Sequence, residues 1–315
     1  MTRPTSPRNG YALLAVLWIS MGVSALLFAV SVEARQAIGT ARNRIALTEA
    51  TWSAAGCFAY ARAAVTDSLL AAERTGSVAV TKAWNVVDHL LSNVSVPSFF
   101  QCHVAARALG SGFDVNRGSE AAVAQFLRQA LGLAPWDADS ASAALADWKD
   151  PDHEVRPGGA ERGWYRDQHR PRPSNRPIRS VEELRLVRGF RSLGGLDTLI
   201  EVEPAPASLY HAHPAVLSRL PGISTEAADL LRIARQRRTP FGGFTELSGA
   251  LSALDREEFE RMIPALVPTA GFEPLAWIVT VRGWAGQPAI AAVVEAKMGR
   301  SGATPTVLRW RTRTE

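Results

Sequence analysis

The chain is poor in lysine and cysteine. Lysine occurs only at positions 82, 149 and 297, so nearly all of its positive charge is arginine. The net formal charge is only +5 over 315 residues. The pI near 9.7 therefore owes much to the high arginine pKa and is no sign of a nucleic-acid partner. Two cysteines, Cys57 and Cys102, are too few for a disulfide framework or a cysteine zinc site. They either form one bridge in an oxidising compartment or stay two small buried thiols, and their spacing does not choose. Gly-x-Ser-x-Gly, His-Glu-x-x-His and the P-loop are all missing, so no familiar catalytic constellation is present and the chain does not read as an enzyme. His211-x-His213 reads as a surface or helix-start pair before it reads as ligands. Glu182-Glu183 and Glu257-Glu258 read as first-turn carboxylates. What is present, 47% hydrophobic and 21% charged residues, excludes wholesale disorder. The length suits one large domain or two to three smaller ones.

The longest uncharged run is Tyr11 to Val32. As a helix it spans about 33 Å, enough for a bilayer core. A short leader with Arg3 and Arg8 precedes it, which favours the N-terminus inside and the C-terminus outside, although Arg35, Arg42 and Arg44 follow it. The run is long for a secretory signal peptide, and Ser31-Val32-Glu33-Ala34 is a poor cleavage site. A plain signal anchor fits the hydropathy equally well. Beyond the run, no proline occurs to about Leu70, and Ile38, Ala41, Ile45, Trp52, Ala55 and Ala59 recur at helical spacing, with Arg35, Arg42, Arg44 and Glu49 opposite. A membrane helix thus continues into an amphipathic one, in a shape suited to packing in a filament or onto its own domain.

Residues 76–105 read as irregular structure with short strands at Val94–Val96 and Phe99–Val104. Residues 119–135 read as a helix, 136–180 as a long loop rich in Asp, Pro, Gly and Arg, and 181–264 as helical again. Strands then follow at Trp277–Arg282, Ile290–Glu295 and Thr306–Arg313. Strands flanking helices predict an α+β fold with an all-α domain inserted.

Two segments carry chemistry. Asp147, Asp150, Asp152 and Glu154 lie within eight residues, and Glu161 follows after a Pro-Gly-Gly turn. Carboxylates in such a loop can converge on a hard cation such as calcium. The spacing is not that of an EF-hand, and Arg156 and Arg162 offer the carboxylates a competing partner. Leu220-Pro221-Gly222-Ile223-Ser224 joins two helical patterns and resembles a helix-hairpin-helix (SAM-like) turn. In DNA-binding versions the hairpin backbone meets phosphate, with Arg232, Arg235, Arg237 and Arg238 supplying charge. In an exported chain a packing module is the plainer reading.

Taken in order, these motifs resemble a known family. Arg8-Asn9-Gly10 directly before Tyr11 resembles a type IV prepilin leader, though Ala15 stands where pilins carry Glu. Asp147-Trp148-x-Asp150-x-Asp152 is followed by Gly159-Ala160-Glu161, Trp164-Tyr165 and Ser180-Val181-Glu182-Glu183-Leu184-Arg185. The hairpin and a last strand ending Val307-Leu308-Arg309-Trp310 complete the series. The chain resembles the K-type minor pseudopilins of the type II secretion system over nearly its whole length. The resemblance implies a leader at 1–10, a transmembrane segment at 11–32 and its amphipathic continuation at 33–75. It further implies a pilin-like antiparallel sheet domain from 76–105 and 265–315, and an inserted α domain at 106–264 with an acidic loop at 147–165. It implies cleavage between Gly10 and Tyr11 by a prepilin peptidase, which also methylates the new N-terminus. Anchorage in the inner membrane with the rest in the periplasm follows, with I-type and J-type minor pseudopilins as partners and no nucleic acid. The role is a tip subunit that starts and caps the pseudopilus. Calcium is the implied ligand of Asp150, Asp152 and Glu161, with Asp147 and Glu154 less well matched. A membrane-anchored helix-hairpin-helix DNA receptor of the competence type is the alternative, and a tethered metal-dependent hydrolase the third reading.

Overall fold

The computed structural model describes residues 9–314, with side chains from Tyr11 onward; most of the expected leader, residues 1–8, lies outside the described residues. The first element is one helix, α1 (Asn9–Glu73), 65 residues long and so about 98 Å at 1.5 Å per residue. Nothing interrupts it because the stretch holds no proline. Tyr11 to Ile38 is exposed along its whole length, so this half of the helix packs on none of the other described elements.

The second half packs on a sheet, but not by the expected stripe. The buried face is Ala46, Ala50, Ala54, Cys57, Phe58, Ala61, Val65 and Leu69. Ile38, Ile45 and Trp52 point away, with Trp52 71% exposed. Close approach explains the choice. A Cβ on Gly283 would lie 2.5 Å from the Ala50 carbonyl oxygen and the Ala54 nitrogen. Helix and sheet therefore meet nearly backbone to backbone, and only small residues fit between them.

Two short helices follow, α2 (Ser77–Asn85) and α3 (Val87–Ser92). They correct the expectation of irregular structure there, and Val94–Val96 is no strand. The valines of this stretch suggested strand, but Val80, Trp84, Val87 and Leu91 bury one helical side against α1 and the sheet. Strand β1 (Cys102–Ala108) comes next.

The inserted domain runs from β2 (Phe113–Asp114) through α4 (Glu120–Leu131), α5 (Pro135–Lys149), α6 (Arg162–Asp167), α7 (Val181–Leu184) and α8 (Leu196–Leu199). It continues with β3 (Ile200–Glu201), β4 (Ala207–Ser208), α9 (Pro214–Leu217), α10 (Thr225–Arg237), α11 (Phe244–Ala250), α12 (Ala253–Leu266) and β5 (Ala270–Gly271). The expected loop over 136–180 is thus broken by α5 and α6. Its aspartates and serines masked α5, in which alanines at 138, 141 and 144 with Leu145 and Trp148 form the buried side. The chain closes with β6 (Trp277–Ala285), β7 (Ile290–Ser301) and β8 (Thr304–Thr314), all three longer than expected.

The main sheet has the order β1-β6-β7-β8, antiparallel throughout. β2 pairs with β3 and β4 with β5 in short parallel ladders inside the insertion. Two cores result. One joins α1, α2 and α3 to Trp277, Val279, Val281, Val294 and Met298 of the sheet. The other fills the insertion around Phe126, Trp148, Tyr165, Phe190 and Phe259. A disulfide between Cys57 and Cys102, with Cα atoms 6.6 Å apart, ties α1 to β1 and settles what spacing left open.

Candidate functional site

The acidic loop leaves α5 at Asp150 and ends at Glu161, where α6 begins. The last turn of α5 fixes both of its landmarks. Asp147 is fully buried and accepts from Arg156 Nη1 at 2.7 Å. The same guanidinium nitrogen also donates to Asp150 Oδ2. A buried carboxylate needs such a partner, and Arg156 is held charged by the two aspartates. Trp148 stacks edge-on against Tyr165, centroids 5.1 Å apart, and donates to Glu183 Oε1 at 3.3 Å.

Local rules hold the loop open. Asp152 Oδ1 accepts from the Glu154 backbone N–H at 2.9 Å, a tight Asx turn. Gly158 sits at φ +78°, where a side chain is strained. A Cβ on Gly159 would overlap the Asp147 carboxylate. The Gly158 and Gly159 carbonyls accept from Arg188 Nη1 at 3.3 and 2.9 Å, and the Arg188 guanidinium lies over the Trp164 ring at 5.3 Å. Glu161 caps α6 through Oε2, which accepts from Arg162 N at 3.1 Å.

Asp150, Asp152 and Glu161 each place a carboxylate oxygen within 4.8 Å of the others. Glu161 is buried, Asp150 half-buried and Asp152 exposed. Glu161 Oε1 and Asp150 Oδ1 are buried without a hydrogen-bond partner. Burial pushes the Glu161 carboxyl above its ordinary range, and the charges of Asp147 and Asp150 add to the shift. Two orphaned buried oxygens beside an exposed carboxylate are what a hard cation would satisfy. Asp147 does not join the set, because Arg156 holds it. Glu154 is exposed and contributes its N–H to Asp152 instead. Of the two competing arginines only Arg156 pairs with the cluster by its side chain; Arg162 reaches Glu161 by its backbone alone. The parts of the site that residue types did not signal are Arg188, which fastens the glycine turn from α7's far side, and Gly159.

The two most specific sequence motifs meet here. Ser180 caps α7 by accepting from Glu183 N at 3.2 Å. Glu183 then accepts from Arg179 N at 2.9 Å and from Trp148 Nε1. The Ser-Val-Glu-Glu run is thus the clasp on the Asp-Trp loop. Glu257 and Glu258 lie one turn further into α12 than expected, its first-turn carboxylate being Asp255. His213 caps α9, its Nδ1 accepting from Ala215 N at 3.2 Å. His211 is packed edge-on against Trp277 at 4.9 Å, and burial with nearby Arg235 pushes its pKa down to about 3.

The helix-hairpin-helix turn is engaged inside the protein. A Cβ on Gly222 would run into Met262, so the turn is seated on α12. Arg235 donates to the Tyr210 and Ala212 carbonyls at 2.6 and 2.9 Å. Arg232 pairs with Asp229, and Arg238 Nη1 lies 2.8 Å from His89 Nε2. Of the four arginines expected to offer charge to phosphate, three are in use as internal ties.

The fold and site define a class: a pilin-like helix and sheet on an apolar N-terminal helix, with a helical domain inserted after the first strand. Residues 107–193 match the family model described as type II secretion system (T2SS), protein K. Among solved structures the chain is similar to one in the crystal structure of the GspK–GspI–GspJ complex from the enterotoxigenic Escherichia coli type 2 secretion system. The TM-score is 0.56 at 15% identity, covering 87% of this chain and 99% of that one. No curated protein matches the sequence. The segment 107–193 that matches protein K thus lies within a fold shared with a chain of that complex.

Proposed function

We propose that this protein is a tip subunit that starts and caps the pseudopilus of a type II secretion system, and that it works as a structural part rather than as an enzyme. The observation that carries the reading is the protein K domain inserted into a pilin-like helix and sheet. α1 anchors it in the inner membrane through Tyr11–Val32, and the rest stands in the periplasm, where the Cys57–Cys102 disulfide is stable. Its partners are the I-type and J-type minor pseudopilins, as the GspK–GspI–GspJ complex joins three such chains. The stripe Ile38, Ile45, Trp52 and Ala59 repeats every seven residues on the exposed side of α1. That spacing suits near-parallel packing against neighbouring helices. A carboxylate at position 15 would need a neighbour's amine in the bilayer; Ala15 removes that need, as suits a subunit with none above it.

Cleavage by a prepilin peptidase falls between Gly10 and Tyr11. The acidic loop binds calcium through Asp150, Asp152 and Glu161; the ion would supply charge for the orphaned oxygens and lock α5 to α6. The deciding experiment is intact mass and N-terminal sequencing of the protein from native membranes, with co-purification of the I and J chains. A chain beginning at methylated Tyr11 and bringing both partners supports the reading. A chain beginning at Met1 without them overturns it. For calcium, the full chain should melt several degrees higher with the ion than with chelator, and Asp150→Asn with Asp152→Asn should remove the difference.

A further inference from the structure

β1 and β8 are the edge strands of the sheet. Among the described residues β7 is the only strand paired with β8, so the outer backbone groups of Thr304–Thr314 have no strand partner there. Pro305 and the bulge between Lys297 and Met298 blunt the first part of this edge. From Arg309 to Thr314 the register with β7 is regular, and Trp310 to Thr314 are exposed. Regular, extended and uncovered backbone of this kind is a template for another strand.

The side chains specify what that strand would carry. Trp310 turns toward α1, where it meets Phe58 edge-on at 4.9 Å and remains 43% exposed. Arg309, Arg311 and Arg313 point to the opposite face and line a cleft of about 1,110 Å³ between the sheet and the α7–α8 stretch. The acids of that cleft are largely spoken for. Glu201 pairs with Arg107, Glu203 with Lys297 and Arg309, Glu295 with Arg309, and Asp197 with Arg185. Asp88 sits deeper, toward Arg235. Glu182 feels the charges of Arg313 and Arg185 but bonds to neither. Among the described residues, Arg311 and Arg313 form no ion pair.

We propose that the Arg309–Thr314 edge docks an extended acidic segment of a partner polypeptide, added to β8 as a fifth strand. Its acidic side chains face Arg311 and Arg313, and its alternate apolar ones cover Trp310. Strand alternation demands that pattern, since neighbouring residues reach opposite faces. Nucleic acid fits less well. Two free arginines among interleaved carboxylates offer too few phosphate contacts. The inference stands whether or not the chain caps a pseudopilus, because it rests on the edge alone.

The test titrates the full chain, in detergent micelles, into a fluorescein-labelled ten-residue peptide alternating Glu and Val, read by anisotropy. Saturable binding is expected. It should weaken at least tenfold in the Arg311→Glu, Arg313→Glu double variant. It should also weaken at least tenfold when one of the two alternate sets of peptide amides is N-methylated. Absence of saturable binding overturns the proposal. So does binding indifferent to both methylation patterns, equal binding of a Lys–Val peptide, or full competition by a single-stranded oligonucleotide of equal charge. If the double variant does not melt like the parent, the methylated peptides on the parent protein decide alone.

Discussion

In the helix–sheet unit, one helix meets an antiparallel sheet through alanine and glycine, over a core of Trp84, Trp277 and valines. In the inserted domain, helices of 4 to 15 residues are joined by turns, and buried charge does much of the fastening. Asp147, Glu161 and Glu201 are all buried there, two of them answered by arginine, while Arg235 and Arg188 serve backbone carbonyls. The difference lies in what each unit tolerates. The first depends on shape, so it suffers from lost volume. The second depends on paired polar groups, so it suffers when one partner is removed and the other stays buried.

The largest effect should come where the units touch. Trp277 is fully buried, donates to the Trp84 carbonyl at 3.1 Å and packs on His211 of the insertion. Trp277→Ala should cost about 3–5 kcal/mol in denaturant unfolding and loosen both units. Loss confined to one unit by hydrogen exchange would mean that the contact does not couple them.

Removing the disulfide should separate the two. Cys57→Ser with Cys102→Ser should cost roughly 2–4 kcal/mol. Exchange should rise in α1 and β1 while the insertion keeps its protection. Gly159→Ala strikes the other unit, pressing a methyl onto the Asp147 carboxylate. It should cost about 1–3 kcal/mol, seen as earlier melting of the insertion with the sheet unchanged.

A pH series sharpens the same contrast. Glu161 has a folded pKa above its ordinary value of 4.5, because burial penalises its charge. Without calcium, the folded state holds that proton more tightly than the unfolded one. Its contribution to stability is therefore present below about 4.5 and is lost as pH rises through the folded pKa. A bound cation would favour the carboxylate, so the gain in melting temperature from calcium should grow over that interval. A gain independent of pH there would remove Glu161 from the ligand set. The smallest effect is expected at Ser224, which caps α10 and donates to Asp255 Oδ2 at 2.8 Å. Ser224→Ala should cost about 1 kcal/mol by thermal melting.

Much of the architecture was legible in the residues. α1, α4 and the three closing strands follow from periodicity over stretches long enough to show it. α2, α3 and α5 did not, because valine in the first two and aspartate and serine in the third disguise helices whose buried side is set by distant neighbours. The carboxylates named for a cation, Asp150, Asp152 and Glu161, do converge. Convergence was not readable for Asp147, since its fate depends on where Arg156 swings after the turn.

Local chemistry alone determined the uncharged span, the unbroken helix after it, the helical and strand periods at both ends of the chain, and the acidic composition of one loop. These are properties of neighbours in sequence, fixed by side-chain spacing and by the absence of proline. Tertiary structure decided the rest: that α1 turns its alanines inward and its isoleucines and Trp52 outward, that Cys57 meets Cys102, that the hairpin glycine rests on α12, and that β8 is left with one free edge. Each depends on how closely two distant backbones approach, and no local pattern encodes that distance.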